Sequence, residues 1–186
     1  MKNVYRKRIK ELRAQLQKEK IDGLLIVTIE DSSKNVRYLT GFGGTTGALL
    51  VTRKKVVLVV DPRYTLRAKR EARAVRVGGV SKDLKKKGDF LSYVESALQA
   101  LKVSEKSRIG FESNRVSHAM AGVWKKKLSC VLIPTKGMVE KQRQIKDAEE
   151  IRLLSRAGKM TVRAFTQTVE RIRAGQTERE VAQMLD

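Results

Sequence analysis

Very few side chains in this 186-residue sequence could carry out catalysis, and each has a nearby structural explanation. His118 is the single histidine. On a helix, a metal-binding imidazole wants carboxylates three or four positions away, on the same face. Those positions hold Asn114, Arg115, Ala121 and Gly122 instead, so His118 reads as an ordinary surface or partly buried histidine. Asp147, Glu149 and Glu150 form an acidic cluster, but it stands just ahead of a long apolar-periodic segment. Acids there complement the positive end of a helix without any metal. Cys130, the one cysteine, opens an apolar run with no histidine near it in sequence. It reads as a buried thiol, and it excludes an internal disulfide or a thiolate metal cage. The stretch GFGGTTG (41–47) has four glycines in seven positions. It lacks the phosphate-loop lysine and the spacing of a dinucleotide fingerprint, and is read as backbone that needs positive φ or close approach. No catalytic residue and no metal ligand is assigned from these residues.

Asp61-Pro62-Arg63-Tyr64 follows the apolar run VVLVV. Asp61 can cap a helix whose first residue is Pro62, a favoured place for proline. Tyr64 can pack beneath that turn. Asp61, Pro62, Arg63 and Tyr64 are thus expected to form a structural corner.

The elements that would position these residues follow from periodicity. Ile9, Leu12 and Leu16 make 4–20 an amphipathic helix. GLLIVT (23–28) reads as a strand buried on both faces. Ser32 or Ser33 is expected to cap a short helix through Tyr38. ALLVT (48–52) and VVLVVD (56–61) form a hairpin across Arg53-Lys54-Lys55. A helix to Ala72 follows, then a strand at 74–77, a polar lysine-rich stretch at 80–89, a helix through Leu101, the strand RIGFE (108–112), a helix within 115–127 and the strand CVLIP (130–134). Beyond Gly137 only helical periodicity remains. Asp147 with Glu150 and Thr177 with Glu180 have the spacing of capping boxes, and Gly175 is placed to end the first of these helices. The reading divides the chain into an α/β domain at 1–135, a linker at 136–146 and a helical hairpin at 147–186.

Charge is the other conspicuous feature: 41 Lys and Arg against 20 Asp and Glu, a net +21. Residues 1–20 hold 8 basic and 2 acidic side chains, residues 53–87 hold 13 and 3, and residues 21–52 hold 2 and 3. The excess lies on patterned elements and avoids 21–52, so it is expected on solvent-facing surfaces that attract acidic partners. Aromatics are only 5% of the chain, which gives base-stacking recognition of nucleic acid little material. No apolar run reaches the roughly 18 residues of a membrane span, and the N-terminus lacks a secretory signal pattern. A cytoplasmic protein is expected, with no membrane partner.

Read together, NVRYLTGFGGTTGALLV (35–51), VVLVVDPRYTLRA (56–68), RIGFES (108–113), MVEKQRQIKDAEEIRLLSRAGKMTVRAF (138–165) and GQTEREVA (175–182) resemble the opening part of the creatinase, prolidase and aminopeptidase P family. The resemblance implies an N-terminal mixed sheet flanked by helices, similar to a ribonuclease H-like arrangement. It also implies a following "pita-bread" metallopeptidase domain, of which 147–186 would be the first helices. Family members use two divalent metals (manganese, cobalt or zinc) to cleave before proline, a two-metal hydrolysis. The ligands lie downstream of any position in this chain, so no cofactor is expected here and the chain is expected to be inactive alone. Homodimerisation, covering of an active-site mouth, a missing catalytic domain as partner and a proline-containing peptide as substrate of the full-length form are all implied by the resemblance. It makes Asn35, Arg37, Tyr38 and Phe42 candidates for lining a substrate channel, with Arg37 able to meet a peptide carboxylate. The alternative is a stand-alone basic module that binds an acidic protein face or nucleic acid.

Overall fold

The computed structural model describes residues 2–29, 34–80 and 90–185. The chain forms two compact units, residues 1–143 and 144–186.

The first unit is a six-stranded mixed sheet flanked by helices. In chain order its elements are α1 (Lys2–Lys18), β1 (Gly23–Ile29), α2 (Lys34–Thr40), β2 (Thr46–Thr52), β3 (Val56–Val60), a 3-10 turn (Pro62–Tyr64), α3 (Thr65–Glu71), β4 (Arg76–Gly78), α4 (Leu91–Ala100), β5 (Arg108–Glu112), α5 (His118–Lys127), β6 (Val131–Thr135) and α6 (Met138–Gln144). The strand order is β4-β3-β2-β1-β5-β6. The meander β1-β2-β3 is antiparallel, with Leu25 opposite Leu50 and Leu49 opposite Leu58. β4, β5 and β6 join in parallel. The Ser32 and Ser33 cap and almost all of the 80–89 stretch lie outside the described residues.

Side chains alternate across a strand, and here both faces are covered, which is why the strands read as unbroken apolar runs. Leu24, Ile26, Leu49, Val51, Leu58 and Val60 face one core. That core is closed by Ile9, Leu12 and Leu16 of α1, Val36 and Leu39 of α2, Ala68 of α3 and Val139 of α6. Leu25, Val27, Leu50, Val57, Val59, Ile109 and Phe111 face the other, beneath α4 and α5, where Trp124 meets Phe111 edge to face at 6.1 Å.

One segment differs from the sequence expectation. Residues 138–144, placed there in a linker, form a helix whose Val139 is fully buried among α1, α2 and the sheet. A single apolar anchor on a seven-residue helix gives too short a periodicity to read.

The second unit contains α7 (Ala148–Val169) and α8 (Glu178–Leu185). Asp147 and Glu150 make a reciprocal capping box at the start of α7. Thr177 and Glu180 do the same for α8. The apolar repeat runs on to Ile172, but α7 ends at Val169, before Gly175 (φ 92°). The Arg173 guanidinium donates to the carbonyls of Glu170 and Ile172 there, satisfying helix-end acceptors.

Candidate functional site

The polar centre of the first unit is assembled around Asn35, near the start of α2. Asn35 is 1% exposed. Its Nδ2 donates to Glu112 Oε1, at the end of β5, and to Glu140 Oε1 on α6 at 2.9 Å. Its Oδ1 accepts from Arg143 Nη1 at 2.9 Å. One amide therefore ties together three elements up to 108 residues apart in sequence. Glu112 is 5% exposed, and burial, its largest influence, pushes its carboxyl up to about 7. The charge of Glu140 adds to the rise, while the Asn35 bond and the charges of Arg115 and Arg143 oppose it. The Oε2 atoms of both glutamates and the side-chain amide of Gln142 are shut off from solvent without a hydrogen-bond partner.

The other candidates around α2 are placed differently. Tyr38 is half-buried. The Arg8 guanidinium lies 4.0 Å from its ring centroid and donates to its carbonyl at 2.9 Å. Arg37 is exposed on the last turn of α2, close enough for its charge to act on Glu71. Phe42 is 0% exposed and belongs to the core, meeting Tyr64 edge to face at 6.2 Å. The side chains of Phe42 and Asn35 are buried, whereas Arg37 is exposed and Tyr38 partly so.

The glycine-rich stretch follows α2 directly and packs against Phe42 and Glu71. Gly41 ends α2 with φ 83°, a left-handed conformation that favours glycine. A side chain at Gly44 would strike the Phe42 ring, with its first carbon 2.1 Å from Cζ. The Gly43 amide donates to Glu71 Oε2 at 3.0 Å, and Arg67 Nε donates to Oε1 at 2.6 Å. Burial pushes the Glu71 carboxyl up, but these two bonds and the charges of Arg67 and Arg37 hold it below its ordinary value.

At the corner behind β3, the Asp61 side chain accepts from the Arg63 backbone amide and guanidinium, both at 2.9 Å. Pro62 begins the turn and Tyr64 ends it, its hydroxyl 3.0 Å from that of Thr45. The Arg63 bond is the largest cause that holds the Asp61 carboxyl at about 2.

Among the described residues, no group of three or more His, Cys, Asp or Glu side chains is placed to hold a metal ion. Glu112 and Glu140 are two carboxylates engaged with an amide and faced by Arg143, so they do not make the donor set of a dinuclear site. His118 is exposed at the start of α5, and Glu149 pairs with Arg152. No helix among the described residues is long and apolar enough to cross a membrane.

Sequence reasoning missed Glu112, Glu140 and Arg143. The available signal was an acid closing the alternating strand RIGFE, the kind of buried charge that demands a partner. Glu140 and Arg143 lay in the segment read as a linker.

Comparison with known proteins identifies relatives of the whole arrangement. Over 167 residues the chain is 30% identical to the uncharacterized peptidase YqhT of Bacillus subtilis (strain 168), covering 89% of this chain and 44% of that protein. The solved structure of an Xaa-Pro dipeptidase from Bacillus anthracis matches with a TM-score of 0.81 and 28% identity, over 97% of this chain and 47% of that one. An X-Pro aminopeptidase from Thermotoga maritima MSB8 matches with a TM-score of 0.74 and 30% identity, over 95% and 47%. The chain thus spans less than half the length of these relatives. Because the model of the creatinase/prolidase N-terminal domain matches residues 8–145, across the sheet and the cluster around Asn35, the chain belongs to that family.

Proposed function

We propose that this chain serves as the N-terminal domain of an Xaa-Pro peptidase, contributing dimerisation and the cover of a peptide-binding mouth, with no hydrolysis of its own. The observation that carries this reading is the family match over 8–145, in a chain that spans 47% of an Xaa-Pro dipeptidase. Arg37 and the exposed part of Tyr38 are the side chains of this domain that meet a proline-containing peptide, Arg37 through the peptide carboxylate. Asn35 and Phe42 act from behind, Asn35 by fixing α2 against β5 and α6, Phe42 by supporting the glycine-rich turn. Asp61 to Tyr64 hold the adjacent corner. The two divalent metals of such enzymes have no donor set among the described residues, so no step is assigned to this chain's carboxylates.

The test is an assay of the 186-residue chain with manganese, cobalt or zinc and an Xaa-Pro dipeptide or tripeptide. No turnover above the protein-free blank is expected. Chelator-sensitive turnover by the purified chain would overturn the reading. Light scattering tests the dimer.

A second reading, a basic module for acidic partners, is favoured by the exposed cations of the β2–β3 turn (Arg53, Lys54, Lys55) and of the last turn of α5 (Lys125, Lys126, Lys127). Salt-sensitive retention on nucleic acid or on an acidic protein would support it. Absence of binding at low salt removes it.

A further inference from the structure

Two carboxyl groups accept from one amide nitrogen in the first unit. One hydrogen of the Asn35 amide goes to Glu112 and the other to Glu140, while Arg143 occupies the amide oxygen. Each glutamate thereby uses one oxygen. The second oxygens, Glu112 Oε2 and Glu140 Oε2, are closed off from solvent and have no hydrogen-bond partner. An ionised carboxylate buried with an unused oxygen is unfavourable, and a second negative charge beside it adds repulsion. One proton relieves both effects. The neutral carboxyl becomes an O–H donor, and the neighbouring glutamate supplies an acceptor that otherwise has no donor.

We propose that Glu112 keeps a proton beside Glu140 and that the Glu112–Asn35–Glu140 cluster acts as a proton-dependent clamp that seats α6 against β5 and α2. Arg115, just beyond β5, faces the pair. Glu140 and Arg143 face it from α6, and the neutral amide of Asn35 faces it from α2. Arg8 of α1 has its guanidinium over the Tyr38 ring. The cations and the amide favour an ionised Glu112, and burial together with Glu140 outweighs them.

The direction in pH follows. A carboxyl raised from 4.5 to about 7 in the folded chain contributes stability that is complete below the unfolded value. That stability is lost progressively as pH rises, and is gone above the folded value. The clamp is therefore closed in mild acid and loosened above neutrality.

The experiment is a set of thermal melts between pH 5 and 8, with hydrogen exchange of the α6 amides, on the full chain and on Glu112→Gln. Wild type should melt at a lower temperature at pH 8 than at pH 5. Its α6 amides should lose protection beyond the tenfold per pH unit expected of base-catalysed exchange. Glu112→Gln, which keeps an acceptor oxygen and adds a donor without titrating, should show a clearly shallower pH slope. Glu140→Gln should move the wild-type transition to lower pH by removing the repulsion. An unchanged pH slope in Glu112→Gln overturns the proposal. If that variant fails to fold, the carboxyl carbon shift of Glu112 in the wild-type chain decides: a midpoint near 7 supports the retained proton, and full ionisation at pH 5.5 overturns it.

Discussion

The Tyr93 hydroxyl donates to Asp61 Oδ2 at 2.9 Å, linking α4 to the corner behind β3 across 32 residues of sequence. The same carboxylate caps the turn through the Arg63 amide. It therefore holds a local turn and a long-range contact at once, and the phenol, burial first and this bond second, is pushed up to about 12. Tyr93→Phe removes only the long-range bond and should cost about 1 kcal/mol. Asp61→Ala also removes the cap and should cost about 2 kcal/mol. Urea unfolding of the two variants measures both. A loss in Asp61→Ala no larger than in Tyr93→Phe would show that the cap adds nothing.

Asp61 and Glu112 should respond to pH in opposite senses. Asp61 is lowered from 3.8 to about 2, so its contribution is present above pH 4 and is lost as pH falls through the folded value. Glu112 loses its contribution as pH rises towards 7. Stability should therefore be highest in mild acid, near pH 5. Urea midpoints at pH 3, 5 and 8 check this, and a maximum at pH 8 would contradict it.

Asn35 is the hinge of the buried polar cluster. Asn35→Ala leaves Glu112, Glu140 and Arg143 without their shared partner and should cost about 3 kcal/mol. Asn35→Asp is a sharper probe. It replaces the donor with a third carboxylate, so it should be more damaging at pH 8 than at pH 5.5, where protonation relieves the repulsion. Equal destabilisation at the two values would argue that the cluster carries no charge.

Gly44 and Phe42 are coupled by contact. An alanine at Gly44 would bring its Cβ within 2.1 Å of a ring that is 0% exposed, so the ring or the turn must move. Gly44→Ala should cost about 2 kcal/mol. Phe42→Ala should cost about 4 kcal/mol, and adding Gly44→Ala to it should cost little more. Full additivity in this double-mutant cycle would show that the two do not meet.

In the second unit, Ile151, Leu154, Val162, Phe165 and Val169 of α7 are 50–65% exposed. Exposed apolar side chains at helical spacing favour association. The 186-residue chain should show concentration-dependent self-association by light scattering, reduced in Phe165→Lys. A monomer throughout the accessible concentration range would refute this.

Much of the fold was legible in the sequence, because both faces of the sheet are covered. Continuous runs such as GLLIVT and VVLVV follow from that burial, and amphipathic repeats such as Ile9, Leu12 and Leu16 follow from one-sided packing. Capping boxes are equally local: Asp147 with Glu150 and Thr177 with Glu180 lie within one helical turn, so spacing alone identifies them. The family blocks were visible for the same reason, as contiguous strings.

The buried cluster was not legible. Asn35, Glu112 and Arg143 meet only because α2, the end of β5 and α6 converge, and no periodicity links positions 77 and 108 residues apart. Burial also changed the meaning of residues that the family resemblance had singled out: Phe42 belongs to the core, whereas Arg37, five positions earlier, stays exposed. Local pattern determined which segments are strands and helices, because backbone geometry and one-sided burial act over a few residues. Which polar groups share a donor, and which carboxyl is buried deeply enough to keep a proton, was decided by the tertiary structure, because desolvation and hydrogen bonding depend on neighbours that the chain brings together only on folding.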